Sequence, residues 1–114
     1  MVRESNSKSP DSRMANMSAS IGVAQVTLYL EGTTSLKDKR RVVKSLTQRM
    51  RNTFNVAVAE ISDLDDMRIA TIAIVCVSNS SSHAQEMLAK AIAFVERNVE
   101  MGVLGEVATE IIPY

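Results

Sequence analysis

A chain of 114 residues with 46% hydrophobic and 23% charged content holds one domain with a modest core and has the composition of an ordinary globular protein. Thirteen basic residues balance thirteen acidic ones, which excludes a protein that coats nucleic acid or anionic membrane with its whole surface. A single cysteine excludes an intramolecular disulfide, and no apolar stretch is long enough to span a bilayer.

Residues 1–20 hold six serines, scattered charges and little to bury, so a disordered tail is expected ahead of a domain over residues 21–114. Met14 and Met17 are candidate start sites within it. It lacks the unbroken apolar core of a secretory signal and is too poor in arginine for a good transit peptide, which points to the cytoplasm. In "VAQVTLYLEG" the residues Ala24, Val26, Leu28 and Leu30 alternate with polar or exposed neighbours, the mark of a half-buried strand, and Gly32 ends it. Ser35 caps a helix, with Asp38 three residues on approximating a capping box. Leu36, Val43, Leu46, Met50 and Phe54 form its apolar stripe over about five turns. "NVAVAEIS" (55–62) and "MRIATIAIVCVS" (67–78) read as strands joined in a hairpin by "DLDD".

Ser82 is the expected N-cap of a second helix, with Ala84, Met87, Leu88, Ala91, Ile92, Val95 and Val99 on its buried face and a Glu86–Lys90 pair outside. Gly102 is placed to terminate it, and "VLGEVATEII" is the last strand. The order β-α-β-β-α-β predicts an α+β, ferredoxin-like sandwich: a four-stranded antiparallel sheet with both helices on one face. Both faces of the third strand are apolar, with Ile69, Ala73, Val75 and Val77 on one side and Ala70, Ile72, Ile74 and Cys76 on the other. A half-covered sheet needs only one such face, so a homodimer through the open sheet face is expected. The plainer alternative is a central strand whose outer face is tolerated. Cys76 within it reads as a buried, inert thiol.

Charge is unevenly placed. Ser35 to Thr53 carries seven basic residues and one acid, leaving six basic against twelve acidic elsewhere. Advancing about 100° per residue puts Lys37, Arg40, Arg41, Lys44 and Arg51 on one flank of the first helix, beside the apolar stripe. Like charges at i, i+4 cost a few tenths of a kcal/mol per pair, a cost that a surface of mixed sign avoids. Such a row suits phosphates. The bland alternative is a solvated helix face balanced by acids such as Asp63, Asp65 and Asp66. The four aromatics, Tyr29, Phe54, Phe94 and Tyr114, do not make a base-stacking sheet, and no GXXG loop occurs. RNA would therefore be held by its backbone.

Catalytic signals are thin. His83, the only histidine, falls in the first turn of the second helix with no nucleophile implied beside it. "SDLDD" lacks the ligand spacing of a calcium loop, and the serines of "SNSSS" are accounted for by capping. No metal-ligand cluster, Rossmann fingerprint or P-loop occurs.

The stretches "SLKDKRRVVKSLTQRMRNTFNVAVAEI" and "IVCVSN", the latter leading into a second amphipathic helix, resemble the YlxP-like family over residues 22–112. Matching positions include Leu36, Lys37, Lys39, Arg40, Arg41, Lys44, Arg51, Asn52, Phe54 and Asn55. The resemblance implies a ferredoxin-like fold, in agreement with the element order. The family is a small bacterial domain of unknown function encoded near translation and ribosome-maturation factors, which implies ribosome-associated work and supplies no catalytic residues or cofactor. This chain departs from it in the serine-rich extension and in the short "SDLDDMR" connection, which lacks the customary tryptophan.

The expectation is a non-enzymatic, cytoplasmic, dimeric binding module that engages structured RNA or the ribosome through Lys37, Arg40, Arg41, Lys44 and Arg51, without cofactor or metal. The runner-up is a small-molecule-binding regulatory domain of a ferredoxin-like dimer. Such domains favour glycine-containing turns after the first strand, and "EGTTS" offers only Gly32. An acylphosphatase shares the topology but needs an arginine-bearing phosphate loop, and "EGTTSLKD" has no arginine.

Overall fold

Alternating side chains in β1 (Ser20–Tyr29) send Ala24, Val26 and Leu28 to one side, where all three are fully buried. The computed structural model describes residues 18–114. The expected tail lies outside the described residues apart from Ser18–Ser20, and Met14 and Met17 lie outside them altogether. Ser20 already belongs to β1, and the Ala19 carbonyl accepts from the Tyr114 amide at 2.8 Å.

After β1 come α1 (Leu36–Thr53), β2 (Ala57–Ser62), β3 (Ile69–Ser78), α2 (Ser81–Asn98) and β4 (Val103–Pro113). The sheet order is β2-β3-β1-β4, every pair antiparallel. This is the ferredoxin-like sandwich. Facing pairs on the buried side of β1 and β3 match large with small: Leu28 lies opposite Ala70 and Ile74 opposite Ala24. α1 packs over β2, and α2 over β1, β3 and β4. Val42, Val43, Leu46 and Met50 from α1 meet Ala84, Leu88, Ala91, Phe94 and Val95 from α2 in one core. Cys76 is buried in it, and desolvation raises its thiol above the ordinary value.

Ser35 caps α1 as expected, its hydroxyl accepting from the Asp38 amide at 3.0 Å. Asp38 closes the motif one residue early, on the amide and hydroxyl of Thr34. The second cap differs from the expectation: Ser80, not Ser82, holds the first turn of α2, accepting from the His83 amide. Several serines in a row offer the same chemistry, and the position where β3 releases the chain selects among them. Phe94, absent from the expected buried face, is buried and meets Phe54 edge-on, with ring centres 5.5 Å apart.

Gly102 does not terminate α2. The helix ends at Asn98, and the left-handed residue of the connection is Met101, with φ of 62°. Gly102 is instead pressed against β1, where a Cβ would stand 2.8 Å from the Leu30 Cα and closer still to the Tyr29 carbonyl. The β1–β4 register skips between Val26 and Leu28, leaving a bulge at Gly105–Glu106. The Tyr29 ring lies over Gly105, and its hydroxyl donates to Glu106 Oε1 at 2.6 Å.

Both helices occupy one side of the sheet. The other side presents Ile21 and Val23 from β1, Ile69, Ala73, Val75 and Val77 from β3, and Ala108 and Ile112 from β4, by register. Val77 is 60% exposed and Val103 62%. The apolar second face expected of the third strand is there, and it continues onto β1 and β4, where Gln25, Thr27 and Glu110, with Thr71 of β3, interrupt it.

Candidate nucleic-acid interface

α1 is 18 residues long, about 27 Å. Lys37, Arg40, Arg41, Lys44 and Arg51 are all exposed on it, and Lys37 to Lys44 spans two turns, ~10 Å. Their surroundings divide them. Among the described residues, Lys37, Arg40 and Lys44 form no ion pair or side-chain hydrogen bond. Arg41 Nη1 stands 3.7 Å from Glu100 Oε1, with both side chains more than half exposed, so that pair contributes little. Arg51 Nη2 donates to the Val58 carbonyl of β2 at 2.9 Å, which leaves the charge uncancelled but fixes the side chain. The expected array is thus three free cations with two tethered ones beside them.

Of the acids offered as balancing partners, Asp65 forms no ion pair with the flank and the other two are engaged elsewhere. Asp63 accepts from Thr71 Oγ1 at 2.9 Å, and Asp66 from the Arg68 amide at 2.8 Å. No described carboxylate other than Glu100 pairs with the flank. The like charges also sit at the helix end that favours acids: Lys37, Arg40 and Arg41 lie in the first two turns of α1, against the positive pole of its dipole, with only Asp38 in opposition. Four like-charge neighbours at i, i+3 or i, i+4, a few tenths of a kcal/mol each, sum to ~1 kcal/mol of self-repulsion. A bound polyanion relieves it.

Two other cations of the segment turn inward, Arg49 in part and Lys39 completely. Arg49 crosses to α2, donating to Asn98 Oδ1 at 2.7 Å and lying over the Phe94 ring at 5.6 Å. Lys39 is fully buried. Its Nζ donates to the Asp63 carbonyl at 2.5 Å and stands 2.8 Å from Glu60 Oε2, an ion pair that lies off the hydrogen-bonding direction. The helical wheel held the signal: Lys39 falls between Leu46 and Met50, in the middle of the apolar stripe rather than on the flank.

The sequence implies no nucleophile beside His83, but the fold brings a serine hydroxyl to it. His83 is exposed, with Nδ1 2.9 Å from Ser78 Oγ. Among the described residues, no three His, Cys, Asp or Glu side chains gather where they could hold a metal ion. No helix there is long and apolar enough to cross a membrane. A groove of about 370 Å³ between α2 and β4 is lined by Gln85, Leu88, Ala89, Ile92, Thr109, Glu110 and Ile111.

The family of the description "Protein of unknown function (DUF503)" matches residues 21–106 of the chain. The "Uncharacterized protein YlxP" of Bacillus subtilis (strain 168) is 33% identical over 76 residues, which are 67% of this chain and 83% of that protein. Among solved structures, the de novo designed protein Foldit4 aligns with a TM-score of 0.47 at 8% identity, covering 82% of this chain and 96% of its own. A dimeric ferredoxin-like protein of unknown function from Thermobifida fusca YX aligns with a TM-score of 0.41 at 13% identity, covering 82% and 92%.

Proposed function

Within the DUF503 family of proteins of unknown function, to which this chain belongs, we propose a non-enzymatic binding module that holds the phosphate backbone of structured RNA, on the ribosome or free, through the flank of α1. The observation that carries the reading is the trio Lys37, Arg40 and Lys44, exposed and without a carboxylate among the described residues. Arg41 and Arg51 extend the track at either side. The strands carry one aromatic side chain, Tyr29, laid over Gly105 and bonded to Glu106; without a set of stacking rings the module reads shape and charge rather than sequence. Its place of work is the cytoplasm, in keeping with one buried, unpaired thiol.

The working unit is a homodimer closed over the open sheet face. Strands of ten, six, ten and eleven residues, about 31 Å long on average, and a sheet about 19 Å wide give a face of ~600 Å². Two such faces bury ~1,200 Å², at the lower limit of stable interfaces. The charged side chains on it, Glu106 and Glu110, lie on the outermost strand, so the centre closes without burying an unpaired charge.

Filter retention of a ribosomal RNA fragment across a salt series tests the reading. With three to five phosphate contacts, log K against log salt has a slope of about −2 to −4. The double reversal Arg40→Glu/Lys44→Glu abolishes retention while the melting temperature stays within a few degrees. Undiminished retention by that variant overturns the proposal. The groove between α2 and β4 is the one observation favouring a small-molecule regulatory domain, being of ligand-pocket size. A metabolite screen that raises the melting temperature by mass action would identify it.

A further inference from the structure

The basic flank and the apolar sheet face point in opposite directions. The buried stripe of α1, with Val42, Leu46 and Met50, faces the sheet. Lys37 and Lys44 lie about half a turn of the helical wheel away from it and project outward from the helix layer. Beneath that layer is the sheet, and the apolar face forms its far side.

Resting on the reading above, we infer that the dimer is a bridge: it holds two separate RNA segments, one on each outer surface, rather than one segment across a composite site. Closing two open faces on each other stacks the layers helix, sheet, sheet, helix. Layers spaced about 10 Å apart put the two α1 axes ~30 Å from one another, and the cations lie further out still. That separation is several times the screening length of about 8 Å at physiological ionic strength. Each flank therefore meets its own phosphates independently, and a straight duplex on one flank cannot reach the other.

The alternative assembly makes the opposite prediction. Side-by-side pairing through the free edge of β4 would leave both helix layers on the same side of a continuous sheet. The two flanks would then share one surface and grip a single RNA with avidity. The extent of the apolar face, and the absence of lysine or arginine from it, favour face-to-face closure.

Two hairpin RNAs with different labels, one immobilised, test the bridge with the full-length protein. Wild-type protein captures the free hairpin on the immobilised one, and sedimentation shows two RNAs per dimer. Val77→Glu, at an exposed position on the apolar face, sediments as a monomer, binds each hairpin singly with affinity within about twofold of wild type, and loses co-capture. Ala73→Glu is the second such variant, in case the first does not fold. A wild-type dimer that binds one hairpin per dimer and never co-captures the second overturns the bridge while leaving RNA binding intact. A wild-type protein that is monomeric at the test concentration overturns it equally. Failure of wild-type protein to bind either hairpin alone sinks the RNA reading itself.

Discussion

Lys39 occupies the centre of the apolar stripe of α1 with its side chain at zero exposure, and Glu60 opposite it is only 17% exposed. Burying a charge is tolerable when a partner and hydrogen bonds replace water, and here the partners come from β2 and the hairpin turn. Lys39→Met alone leaves Glu60 largely buried without its partner and costs about 3 kcal/mol in urea denaturation. The double variant Lys39→Met/Glu60→Leu recovers most of that loss; a double variant as unstable as the single would show that the pair itself stabilises the fold. Tyr29 and Glu106 offer a second check. The hydrogen bond between them raises the tyrosine above its ordinary value and lowers the glutamate below its own. The Glu106 contribution to stability is present above the unfolded carboxylate value and lost as pH falls through the lowered folded one. The Tyr29 contribution is present below the unfolded phenol value and lost as pH rises through the raised folded one. In a Tyr114→Phe background the remaining tyrosinate absorbance titrates above 10.0, the ordinary value, and Glu106→Gln moves it down.

At the scale of the element, α1 is a good helix carrying a penalty it does not need. Ser35 and Asp38 serve its N-terminus and the stripe secures its burial, yet its flank repels itself. Lys44→Glu turns repulsive neighbours at Arg40 and Arg41 into attractive ones. The substitution is expected to raise stability by a few tenths of a kcal/mol while weakening RNA retention. A fall in both would mean that Lys44 supports the fold rather than a ligand. The same reasoning separates the flank from Lys39, whose loss is felt in stability first.

For the molecule as a whole, the question is what each outer face meets. One side of the sheet is sealed by two helices, and the other carries valines and isoleucines with no described element across them. Leaving an aliphatic side chain of this kind wet forfeits about 1.5–3 kcal/mol relative to burying it. A dimer recovers part of that, so the wild-type melting temperature rises with protein concentration. In Val77→Glu the concentration dependence disappears; its persistence would place the interface elsewhere.

The order of elements, the Ser35 cap, the two apolar faces of β3 and the centre of the α1 stripe at Val43, Leu46 and Met50 were legible in the sequence, because periodicity and capping are local properties of the chain. Val42 was missed, and Phe54 lies just past the helix. The apolar positions of β1 and β3 landed on the sides their alternation implied. The helical wheel already set Lys39 in the stripe, but tertiary structure alone decided which partners each cation meets. Lys39 went inside because Glu60 and the Asp63 carbonyl, more than twenty residues away, arrive beside it. Arg51 was tethered by β2, Arg49 was drawn to α2, and Gly102 was set against β1 rather than at the end of a helix. A charge seen along the chain has a sign and a position, but its partners are chosen by folding, which brings distant groups to within a few ångströms.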